Sequence, residues 1–128
     1  MPNYGTLPLT GSGSGQPATL LSPGDQIALF NAESPTPPQA SIAVSMASAP
    51  GEQANLTISI EFSLTPTCSL AVQGSMTDTP AGWLLAPTLY TSTNKQTDSY
   101  TDSGRWLYYR VLVSTWTGGG TLTAIARR

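Results

Sequence analysis

Residues 106–116 read WLYYRVLVSTW. Thr117-Gly118-Gly119-Gly120 follows, and residues 121–127 read TLTAIAR. A run of β-branched and aromatic residues, a glycine turn and a second run of period two predict a β-hairpin. In an extended strand Leu107, Tyr109, Val111 and Val113 point one way. Trp106, Tyr108, Leu112 and Trp116 point the other, with Arg110 among them. A strand of a two-sheet protein should be apolar inward and polar outward, so the second face needs a cover. A loop of the same domain or the N-terminal segment would serve. Another subunit is the expectation, because Trp, Tyr and Arg dominate binding hot spots.

Working back along the chain, residues 55–64 (NLTISIEFSL) alternate without a fault. Leu56, Ile58, Ile60, Phe62 and Leu64 face one side and Asn55, Thr57, Ser59, Glu61 and Ser63 the other, which predicts a half-buried strand. Residues 68–73 form a strand expected to pair back on it as a hairpin. Residues 26–31 and 41–46 are further strands, and 83–90 a weaker one interrupted by Pro87. The polar stretch 91–104 reads as an exposed loop with room for one short strand near 97–101. No helix is expected. The fold class is therefore all-β: a single β-sandwich or jelly-roll-like domain of seven or eight antiparallel strands. It is expected to occupy residues 25–128, behind an extended N-terminal arm at residues 1–24 rich in Gly, Ser and Pro.

Composition agrees. Among 128 residues there are 33 Ser and Thr, 12 Gly and 11 Pro, and charged residues are 9%, against about 25% in ordinary soluble proteins. The net charge is −2 with no basic run, so nucleic-acid binding lacks its electrostatic footprint. No apolar stretch approaches a membrane span, and no basic and apolar leader marks a signal peptide. Synthesis in the cytoplasm without secretion is the expectation. So sparse a charge suits a chain that lives inside an assembly, since charge keeps free proteins apart.

Catalytic constellations are hard to assemble. The chain has no histidine and one cysteine, Cys68, in the apolar alternation Cys68, Leu70, Val72, where a buried thiol acts as a small hydrophobe. Zinc, copper and haem ligation lack their ligands. Asp98 and Asp102 do not have EF-hand spacing and read as solvated turn residues. Glu61 selects no second carboxylate for glycosidase chemistry, and is one candidate partner for Arg110. Neither a nucleophile elbow nor a phosphate loop is present. No enzyme activity, cofactor or metal is expected. The Trp/Tyr face also suits stacking against sugar rings.

The arm MPNYGTLPLTGSGSGQ, the strand NLTISIEFSL and the terminal RWLYYRVLVSTWTGGGTLTAIARR together resemble small structural proteins of tailed-bacteriophage virions. That resemblance implies a head decoration, or cement, protein: a small β-rich domain with an extended arm, on the capsid surface, as a homo-oligomer and often a trimer. Its implied partners are the major capsid protein or other virion proteins, with neither nucleic acid nor membrane. Its location is the virion, after synthesis in the host cytoplasm. The interface candidates are Trp106, Tyr108, Arg110 and Trp116 on the strand, and Tyr4, Leu7 and Leu9 on the arm. The alternative is a carbohydrate- or receptor-binding module of a phage tail or fibre.

Overall fold

The computed structural model describes residues 17–47, 55–64, 67–117 and 119–128. In chain order the elements are β1 (Thr19–Leu20), β2 (Gln26–Glu33), β3 (Gln39–Ala40), β4 (Val44–Ser45), β5 (Leu56–Phe62) and β6 (Thr67–Ser75). The helix α1 (Pro80–Leu84) follows, then β7 (Thr88–Thr93), β8 (Thr97–Asp102), β9 (Tyr108–Thr117) and β10 (Leu122–Arg127). Sheet A has the order β1-β4-β9-β6-β7, with β3 also on β9. Sheet B has the order β2-β10-β5-β8. The domain is all-β, with ten strands among the described residues where seven or eight were expected, and the β1–β4 pair is parallel.

The apolar faces of both sheets meet in one core. Leu56, Ile58 and Ile60 enter it from sheet B, and Leu70, Val72, Tyr109, Val111 and Val113 from sheet A, all essentially without solvent exposure. Each such side chain contributes about 1.5–3 kcal/mol by leaving water. The alternation of residues 56–62 is thus the core face of β5. Leu64 departs from it: it lies beyond the end of the strand and is 56% exposed. Cys68 is buried in the same core, and burial pushes its thiol above its ordinary pKa against a backbone hydrogen bond from the Asn94 turn. On β2 a bulge against β10 leaves Leu29 unpaired and sends both Leu29 and Phe30 inward.

Neither expected hairpin forms. β9 and β10 lie in different sheets, as do β5 and β6. Gly119 and Gly120 take positive φ angles of 74° and 82°, which glycine adopts without the Cβ penalty. The turn they make carries the chain from sheet A across to sheet B. Thr121 then closes against β5: its N–H donates to Ser63 Oγ at 2.9 Å and its carbonyl accepts from Ser63 N–H at 3.0 Å. A glycine turn between two apolar runs is common to a hairpin and to a crossover, so periodicity did not separate them.

Two further expectations change. Residues 80–84, read as the end of a loop and the first two residues of a weak strand, form α1. Thr79 caps it by accepting the Gly82 N–H at 3.0 Å, and Pro80 occupies the first turn, where its missing N–H costs nothing. The stretch 91–104, read as a loop, completes β7 and supplies β8, which pairs with β5 from Leu56↔Asp102 to Glu61↔Thr97. At the other end, residues 17–24, read as the tail of the arm, are packed into the body. Leu21 is fully buried. The Leu21 carbonyl accepts from Arg128 Nη1 at 2.8 Å, and Gly24 N–H donates to the Arg128 carbonyl at 2.9 Å. Tyr4, Leu7 and Leu9 lie outside the described residues.

Candidate interaction surface

The expected four-residue face of β9 does not exist as a face. Against β6, Val113 pairs with Leu70 and Thr115 with Ser69, leaving Ser114 as an inserted residue. Its hydroxyl donates to the Ser69 carbonyl at 3.0 Å. A bulge of one residue reverses the side to which everything beyond it points. Trp116 therefore sits opposite Cys68 on the core side, its ring 5.5 Å from that of Phe62. Trp106 precedes the strand altogether and packs over Gly74, against the margin of the core. Its backbone N–H donates to the Tyr109 hydroxyl at 3.1 Å.

Tyr108 and Arg110 do share the outer face of sheet A. Arg110 lies opposite Gln73. Tyr108 lies opposite Ser75 on one side and Ser45 on the other, with Leu20 of β1 beyond Ser45. The Arg110 row is covered by the chain's own helix. Arg110 Nε donates to Gln73 Oε1 at 2.8 Å, and its guanidinium carbon stands 4.5 Å from the centroid of the Trp83 ring. Trp83 is 3% exposed and Arg110 8%. Burial lowers the arginine pKa, and the negative charge of Asp78 works against that. Trp83 Nε1–H donates to Asp78 Oδ1 at 2.8 Å, and Asp78 Oδ2 accepts from Ala18 N–H at 3.0 Å. One polar chain thus ties sheet A, α1 and the segment leading into β1 together. A guanidinium stacked on an indole loses less by dehydration than an ammonium would. Glu61, one candidate partner for Arg110, lies on the outer face of sheet B, on the far side of the core from Arg110.

With Trp83 clamped, its neighbours are thrust outward. Leu84 and Leu85 are 84% and 85% exposed. Beside α1, on the Tyr108 row, lies a groove of about 560 Å³ lined by Pro17, Leu20, Ser45, Met76 and Tyr108, with Thr77–Thr79 as its wall. Leu20 and Met76 are more than half exposed. The only ionisable carboxylate in this lining, Asp78, is 9% exposed with both oxygens engaged.

The outer face of sheet B differs in kind. Thr57, Ser59, Thr97, Ser99, Thr101 and Thr123 cover it, around a shallow hollow of about 290 Å³ beside Glu61 and Arg127. Asp98 and Asp102, read as turn residues, sit on β8 and accept hydrogen bonds from the hydroxyls of Tyr90 and Tyr100. Among the described residues no group of three or more Cys, Asp and Glu gathers in metal-ligating reach, and no helix is long and apolar enough to cross a membrane. Sequence reading missed Leu84, Leu85 and Met76. The available signal was Thr79-Pro80, a cap followed by proline, which marks a helix start.

No protein-family model matches this chain, and no curated protein matches its sequence.

Proposed function

We propose that this chain is a non-enzymatic structural protein of a tailed-bacteriophage virion, a capsid decoration subunit built on a jelly roll. The strand order supports the jelly-roll reading. Counting β2, β4, β5, β6, β7, β8, β9 and β10 as strands one to eight, sheet B runs one-eight-three-six and sheet A two-seven-four-five. That is the order produced by two Greek keys, an architecture used by viral capsid and lectin domains.

The surface favours the first of those two uses. A sugar-binding face needs open aromatic rings, and all three tryptophans are engaged elsewhere: Trp83 under Arg110, Trp106 on Gly74 and Trp116 on Phe62. The observation that carries the assembly reading is the rigidly held, uncharged apolar surface of α1 and its groove. Proteins that work as free monomers keep such patches small. The test is location. Purified virions from the host that carries this gene should contain the chain at a fixed copy number per capsid protein by quantitative mass spectrometry. Recombinant protein should rebind to stripped heads. Absence from virions, together with retardation on immobilised polysaccharide, would replace this reading with a glycan-binding one.

A further inference from the structure

We propose that the α1 tip and the groove beside it are two halves of one self-complementary interface, in which Leu84 and Leu85 of one copy enter the Leu20–Met76–Tyr108 groove of a second copy of this chain. This deepens the assembly reading by naming the partner, and rests on it only for the claim that this surface is used.

The knob is rigid. A five-residue helix fixed by a Thr79 cap and by a buried Trp83 between Arg110 and Asp78 holds the two leucines in water. Because the ordering cost is already met within the fold, little further entropy is lost on docking. The groove is rigid as well, since its floor is sheet A and its wall is anchored by the Asp78–Ala18 hydrogen bond. Knob and groove are both uncharged on their exposed surfaces. A second copy therefore brings no like-charge repulsion, whereas a charged partner would find nothing here to pair with.

The area fits. Leu20, Met76, Leu84 and Leu85 leave nearly three whole side chains' worth of apolar surface in water. With the Tyr108 ring and the threonine rim the patch reaches roughly 600 Å² per copy, or about 1,200 Å² for a pair, the lower end of specific interfaces. A knob and a groove side by side on one molecule allow a two-fold pair in which each knob fills the other's groove. The same contact repeated head to tail makes a ring where the rotation between copies closes and an open filament where it does not.

The experiment uses the full chain in three forms: wild type, the knob variant Leu84→Asp/Leu85→Asp and the groove variant Leu20→Asp/Met76→Asp. All four positions are exposed, and circular dichroism with thermal melting should match wild type. In sedimentation velocity at micromolar concentration wild type should self-associate. Either variant alone should weaken that association at least about 30-fold, as for the loss of a hot spot. An equal mixture of the two variants retains one intact knob facing one intact groove, and should recover association that neither shows alone. A monomeric wild type, a variant that associates as wild type does, or a mixture without recovery would overturn the proposal. A monomer in solution that still binds stripped heads would overturn the self-contact and leave the decoration reading standing.

Discussion

Gly74 shows how much one absent side chain holds in place. A Cβ at this position would stand 2.6 Å from Trp106 Cγ and 2.9 Å from a Leu89 methyl. The indole is met at its root, where it cannot swing aside. Gly74→Ala should therefore cost about 1–3 kcal/mol, the usual penalty of overpacking, read from the midpoint of urea unfolding. Phe62 has the opposite role: it fills space between the sheets beneath Trp116. Phe62→Ala should cost about 3–5 kcal/mol and shift the tryptophan emission, and unchanged melting would remove Phe62 from the core. Two carboxylates give a pH dependence. Partial burial raises the pKa values of Asp98 and Asp102, but hydrogen bonds from Tyr90 to the first and Tyr100 to the second, with backbone N–H groups, outweigh it and hold both below the ordinary value. A depressed folded pKa means stability that is complete above the unfolded value of about 3.9 and lost as pH falls through the folded one. Stability should thus be flat from pH 7 to 5 and fall below about pH 4, less steeply in Tyr90→Phe/Tyr100→Phe. Burial of Leu56, Ile58, Ile60 and Phe62 was legible because alternation reports it directly. The place of Trp116 was not, because Ser114 as an inserted residue leaves no mark in the apolar pattern.

At the scale of elements, the sequence named most strands and mispaired them. The runs now seen as β2, β5, β6, β9 and β10 were all visible as period-two or β-branched segments. Their partners were not, since a turn of glycine or proline serves hairpin and crossover alike. α1 was hidden for another reason. Its five residues, PAGWL, are too few to show a helical period, and only Thr79-Pro80 announces it. The N-terminal segment gives a prediction that separates arm from fold. Removing residues 1–16 should leave melting within experimental error, because the hydrogen bond from Ala18 N–H to Asp78, which ties the segment before β1 to the body, stays in place. Removing residues 1–22 takes away β1 and fully buried Leu21, and should cost about 2–5 kcal/mol, as for deletion of a core leucine. A shorter protein that melts like the full chain would show that β1 adds nothing to the domain.

For the whole molecule, composition carried the fold class and the scarcity of charge, but a surface is a property of the assembled chain. Leu20 and Met76 lie more than fifty positions apart in sequence and line one groove only through the β1–β4 pair, while α1 carries Leu84 and Leu85 out into water. Arg110, which looked like an exposed anchor for a partner, became the internal clamp that presents the leucines. Lys95 pairs with Asp98 at 3.5 Å on the β7–β8 turn, and neither residue lines the groove. The consequence is a salt response. Exposed charge pairs are screened over about 10 Å at 0.1 M salt, so an interface held by ion pairs weakens as salt rises. Burial of leucine and methionine is instead strengthened by excluded salts such as sulfate. Self-association should hold constant as sodium chloride rises from about 0.05 to 0.5 M and tighten in sodium sulfate, followed by sedimentation equilibrium. Dissociation by sodium chloride would mean that charged groups, and not the apolar knob and groove, hold the copies together.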